Sequence, residues 1–164
     1  ILESQTGCTP RFTRKGKKMS ENIKLQLKKI INAKRNRIFE AWTKPEVMMQ
    51  WYHGPGMTTP SASSDLKVGG KYHVEMKGER EGKIVNPIFA GEYTKIIPNE
   101  LISFTFGWQH DPSSPKTQVT VELKDVAGGT EVILTHERFP NTQACDDHRL
   151  GWNASLASLE KFLT

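Results

Sequence analysis

The last two dozen residues, 141–164, constrain the fold more than any other stretch. Trp152, Leu156, Leu159 and Leu163 recur at i, i+4, i+7 and i+11, the spacing that stacks side chains on one face of an α-helix. Gly151, Ser155 and Phe162 widen that face, while Asp146, Asp147, Asn153, Glu160 and Lys161 fall largely on the other. The stretch therefore reads as a surface helix with one broad buried stripe, and such a helix needs a surface to lie on. Between Glu21 and Glu137 the chain reads mainly as strands. The expected class is α+β, with one long C-terminal helix across a curved antiparallel sheet.

The strands follow from period-two patterning. Ile23, Leu25, Leu27 and Ile31 alternate with Lys24, Gln26 and Lys28, which marks a half-buried first strand. Ile38, Ala41 and Trp42 then change to helical spacing. Pro45 breaks that helix and opens a second, carrying Val47, Met48 and Trp51, because proline is tolerated in a first turn. His53-Gly54-Pro55-Gly56 is a loop. Strands resume near Thr58, and Lys67-Val68-Gly69-Gly70 turns into Tyr72, Val74 and Met76, with Lys71, His73, Glu75 and Lys77 on the solvent side. Gly78–Gly82 reads as another turn. Residues 84–97 are apolar on both phases, so one strand is expected there with no assigned inward face. Ile102, Phe104, Phe106 and Trp108 share the next buried face, Val119, Val121 and Leu123 the one after, and Val132, Leu134 and His136 the last. Asn141 or Thr142 is placed to cap the long helix. The expected order is β-α-α-β-β-β-β-β-β-α.

At 164 residues the chain suits one domain. Residues 1–18 hold Arg11, Arg14, Lys15, Lys17 and Lys18 against Glu3 alone, so all but one unit of the net charge of +5 lies there. Without hydrophobic periodicity, 1–18 reads as a disordered basic tail, dispensable for folding, before a single domain at 19–164. The tail lacks the interleaved aromatics of a nucleic-acid arm, so no nucleic-acid partner is expected. No apolar run approaches the roughly 18 residues of a membrane span. Cys8 and Cys145 suggest neither a disulfide framework nor a metal pair, which fits a reducing, cytoplasmic setting.

Five histidines are the obvious chemical candidates: His53, His73, His110, His136 and His148. None stands at a metal-ligand spacing, and no phosphate-cradling loop or nucleophile elbow is present. No metal, cofactor or catalytic residue is therefore assigned. Alternation points His136 inward, and His148 precedes Trp152 by one helical turn. Each either orients a ligand or acts as a general base, or else is a structural histidine joining the helix start to the last strand. Glu137 and Asp111 are candidate carboxylate partners. The aromatics Trp42, Trp51, Phe104, Phe106, Trp108 and Trp152 form either simple core or a ligand cage. Gly151 and Ser155 either let helix and sheet touch or leave a void that suits a flat apolar ligand.

Phe39-Glu40-Ala41-Trp42-Thr43-Lys44-Pro45, Trp51-Tyr52-His53-Gly54-Pro55, Asp65 with Gly69-Gly70-Lys71-Tyr72, Leu134-Thr135-His136-Glu137 and His148-Arg149-Leu150-Gly151-Trp152 run in order through the chain. Together with the element order they resemble the helix-grip fold of the START-like superfamily, also called SRPBCC or Bet v 1-like. The branch they resemble is the domain named after the activator of heat-shock protein 90 ATPase. The resemblance implies a seven-stranded antiparallel sheet wrapped around the C-terminal helix, with two short helices after the first strand and an elongated cavity in between. The expected function is binding of a hydrophobic or amphipathic small molecule by a monomer or weak dimer. The expected site comprises Trp51, His53, Phe104, Phe106, Trp108, His136, His148, Gly151, Trp152 and Ser155. The alternatives are a co-chaperone or stress-response interaction module, and a cyclase, dehydratase or hydrolase-like enzyme using a cavity histidine.

Overall fold

The computed structural model describes Cys8 and residues 22–113 and 115–164. In chain order it contains β1 (Ile23–Ile31), α1 (Arg35–Thr43), α2 (Pro45–Trp51), β2 (Met57–Ser64), β3 (Lys71–Arg80), β4 (Lys83–Val85), β5 (Ile88–Ile97), β6 (Leu101–Trp108), β7 (Thr117–Val126), β8 (Gly129–Phe139) and α3 (Thr142–Leu163). Seven strands follow the order β1-β8-β7-β6-β5-β3-β2, all antiparallel, and the short β4 pairs with β3 off this path. The fold is the expected α+β helix-grip, a curved sheet closed on one side by α3.

Strand alternation supplies the inner face. Leu25, Leu27 and Ile31 of β1, Val119, Val121 and Leu123 of β7, and Val132 and Leu134 of β8 are all buried. They meet Trp152, Leu156, Leu159 and Leu163 of α3, also buried. Each such aliphatic side chain withdrawn from water contributes roughly 1.5–3 kcal/mol, so the stripe is what fastens α3 to the sheet. Asn141 starts the helix, its side chain accepting from the Ala144 amide at 2.8 Å, which satisfies one of the otherwise unpaired first-turn donors. Phe162 departs from the expectation. It lies off the stripe and is 41% exposed.

Two further segments differ from the sequence reading. Residues 84–97 do not form one strand, because β4 ends at Val85 and β5 begins at Ile88. Proline has no amide hydrogen to give a ladder, and Pro87 contributes only its carbonyl, to the Met76 amide at 2.9 Å. The turn expected over Gly78–Gly82 is also narrower, since β3 runs on to Arg80 and only Glu81 and Gly82 turn the chain. Both have positive φ, 52° and 76°, the conformation of a type I′ two-residue hairpin.

The cysteine reading is overturned. Cys8 and Cys145 form a disulfide, their Cα atoms 6.1 Å apart, tying the N-terminal segment to the first turn of α3. A sequence separation of 137 residues leaves no local pattern to read. The inference of a reducing compartment rested on unpaired cysteines and loses its basis, since disulfides persist mainly in oxidising surroundings. The expectation of a disordered tail over 1–18 otherwise lies outside the described residues. Among the described residues no helix is long and apolar enough to cross a membrane.

Candidate functional site

Between α3 and the β3–β6 end of the sheet lies a cavity of about 1090 Å³, just above the usual range for small-molecule sites. Phe106 and Trp108 come from β6, Phe89 from β5 and Met76 from β3; Tyr52 follows α2, and Trp152 and Ser155 come from α3. Gly151 lies at the opening, where a Cβ would meet no atom within 4 Å. Its smallness is therefore not a close approach of helix to sheet. Ser155 is only 8% exposed and lines the cavity. The buried Tyr52 hydroxyl has no hydrogen-bond partner among the described residues, and burial holds it well above the usual phenol range, so it stays protonated. A second cleft of about 620 Å³ beside the start of α1 is lined in part by Arg35, which pairs with Glu100 and Asp125.

One wall of the cavity is backed by two histidines. Trp152 Nε1 donates to His136 Nδ1 at 2.9 Å, and His136 Nε2 lies 2.6 Å from Thr117 Oγ1. An indole nitrogen can only donate, so neutral His136 carries its proton on Nε2 and gives it to Thr117, which in turn donates to the Phe106 carbonyl at 3.2 Å. Likewise Trp108 Nε1 donates to His148 Nε2 at 3.0 Å, leaving Nδ1–H to donate to the Ala144 carbonyl at 2.6 Å. All four ring nitrogens are occupied. Burial, reinforced by the neighbouring His148, pushes His136 well below the usual histidine range. Burial also lowers His148, against the opposing pull of the Ala144 carbonyl and Asp147. A general base needs a free nitrogen, and neither ring has one without breaking a bond to tryptophan. The carboxylates expected as partners are not involved. Glu137 neighbours His136 on a strand and so faces the other way, and Asp111 accepts from Ser113 instead.

Residues 32–164 match the family described as Activator of Hsp90 ATPase homolog 1-like protein. The chain belongs to that family. Among solved structures, a Chromobacterium violaceum protein is 24% identical with a TM-score of 0.76, covering 85% of this chain and 96% of its own. The AHSA1 protein from Silicibacter pomeroyi is 22% identical with a TM-score of 0.74, over 85% of this chain and 96% of its own. CalU16 from Micromonospora echinospora is 18% identical with a TM-score of 0.68, over 98% and 85%. At these identities the likeness is one of fold. No curated protein matches the sequence.

Within this Activator of Hsp90 ATPase homolog 1-like chain, the cavity brings together six of the ten expected residues: Phe106, Trp108, His148, Gly151, Trp152 and Ser155. The other four do not line it. His136 sits behind Trp152. Trp51 is fully buried, with Nε1 donating to the Ala41 carbonyl at 2.8 Å and its ring stacked on Tyr52. Phe104 packs with Tyr72 and Tyr93, and His53 contacts the Gly54 carbonyl. His73, expected in solvent, is half-buried and bonded to Ser63 at 2.5 Å. Sequence reasoning missed Tyr52, Met76, Arg80 and Phe89 as lining residues. Met76 was within reach, because its alternation with Lys77 already places it inward. Among the described residues no group of three or more His, Cys, Asp or Glu is arranged to hold a metal ion.

Proposed function

We propose that the protein binds an apolar or amphipathic small molecule in the cavity between the sheet and α3. The observation that carries this reading is the cavity itself, about 1090 Å³ with mainly apolar and aromatic walls, opening beside a glycine with free space around it. A cleft of this size lined mainly by apolar and aromatic groups has the dimensions and the lining of sites that take small molecules. The polar groups within it are few, as in sites where an apolar body supplies affinity and one or two hydrogen bonds fix its orientation.

The test is Ser155→Leu, with N-phenyl-1-naphthylamine as an uncharged apolar probe. The parent is expected to bind the probe one to one. The variant should lose that binding while keeping its melting temperature, because the leucine grows into empty space. If helix and sheet instead touch at this point, the substitution costs about 1–3 kcal/mol through overpacking. A destabilised variant and a parent that binds no probe would overturn the reading. The co-chaperone role suggested by the family's description would then be the better account.

A further inference from the structure

The cavity has a charged lip that its walls do not explain. The type I′ turn at Glu81 and Gly82 sets Arg80 directly opposite Lys83, so both side chains leave the same face of the β3–β4 hairpin. Glu79 pairs with Ile84 and leaves the other face. Like charges directly opposite one another on a sheet cost stability, and neither cation has a salt bridge among the described residues. Arg80 lines the cavity. The lining carboxylate, Asp147, belongs to α3, where it is engaged by the Gln143 amide at 3.0 Å. Two imidazoles line the cavity, those of His110 and His148, and His148 is held uncharged by its two hydrogen bonds. Arg80 and Lys83 thus set two cations side by side on one face of the hairpin, with Glu81 in the turn between them, and Arg80 adjoins the apolar wall formed by Met76, Val85 and Phe89.

On the reading that the cavity holds a small molecule, we propose that its ligand is an organic acid, with an apolar body against the aromatic wall and an anionic head at Arg80 and Lys83. An anion between the two cations removes their mutual repulsion and supplies the charge-assisted hydrogen bonds that a guanidinium favours. A neutral ligand leaves both costs in place.

The experiment compares two probes that share an anilinonaphthalene body, 8-anilinonaphthalene-1-sulfonate and uncharged N-phenyl-1-naphthylamine, on the full chain and on Arg80→Gln/Lys83→Gln. Both substituted positions are exposed, so the fold is retained, and a thermal melt checks this. The affinity ratio of sulfonate to neutral probe is expected to fall about fivefold in the double variant at low salt, since exposed charge pairs contribute modestly. The parent's ratio should itself fall as salt is added. An unmoved ratio, with both probes still bound, overturns the acid proposal and leaves the cavity reading intact. Failure of the parent to bind either probe removes the cavity reading and the proposal together. Sedimentation with phosphatidylglycerol vesicles that is lost in the double variant, with the probe ratio unmoved, would assign the cations to a membrane surface and also overturn the proposal.

Discussion

Trp152→Phe isolates the bond that fixes the tautomer of His136. The phenyl ring keeps contact with Trp42, Tyr52 and Phe106, whose ring centroids lie 5.9, 5.9 and 6.1 Å from the indole, but it has no N–H. His136 Nδ1 then loses its donor while remaining fully buried. Stranding a buried acceptor costs roughly 1–3 kcal/mol. The ~40 Å³ given up by the smaller ring adds up to roughly 1 kcal/mol at about 24 cal/mol per Å³, less where the gap merges with the existing cavity. The expected loss is therefore about 1–4 kcal/mol, read as a lower urea midpoint by far-UV circular dichroism with an unchanged slope. The freed nitrogen can also accept a proton, so the penalty should shrink as the pH falls below about 6.5. A loss below about 0.5 kcal/mol would show that His136 does not depend on the indole, and the argument for a locked tautomer would fail.

Two other outcomes follow from the same contacts. His136 and His148 both have folded pKa values below the unfolded value of about 6.5, so the unfolded chain binds protons that the folded chain refuses. Their stabilising contribution should be complete above about pH 6.5 and lost as the pH falls from there towards the folded values; urea midpoints that stay flat or rise on acidification would contradict it. Cys8→Ser should destabilise by up to about 5 kcal/mol on the chain-entropy account of a loop this long, and equal melting temperatures for the oxidised parent and the variant would refute a stabilising role for the cross-link.

Periodicity made α3 legible, because a stripe of four large apolar residues has only one helical face to occupy, and Asn141 stood where a cap was needed. The aromatic alternation of Phe104, Phe106 and Trp108 likewise placed β6 before any tertiary contact was known. Residues 84–97 resisted the same treatment. Apolar side chains on both phases carry no period, and the break at Asn86-Pro87 is a hydrogen-bonding event that hydropathy does not register. The candidate site was half legible for a related reason. Alternation and helical spacing brought His136 and His148 to the right region, but their partners are two indoles on other elements. Carboxylates close in sequence were the wrong place to look, since adjacent strand residues point to opposite faces. Arg80 was hidden because the hairpin turn is shorter than the glycines at its ends suggest.

The Cys8–Cys145 bond turns most of the chain into a covalent ring. A single peptide cut anywhere between these residues, such as in the exposed stretch around His110 that joins β6 to β7, leaves two fragments that still travel as one molecule until a reductant is added. Integrity judged without reductant would thus count nicked chains as whole. The same closure keeps the two pieces side by side after a break, so a severed copy can retain both its sheet and the helix laid across it.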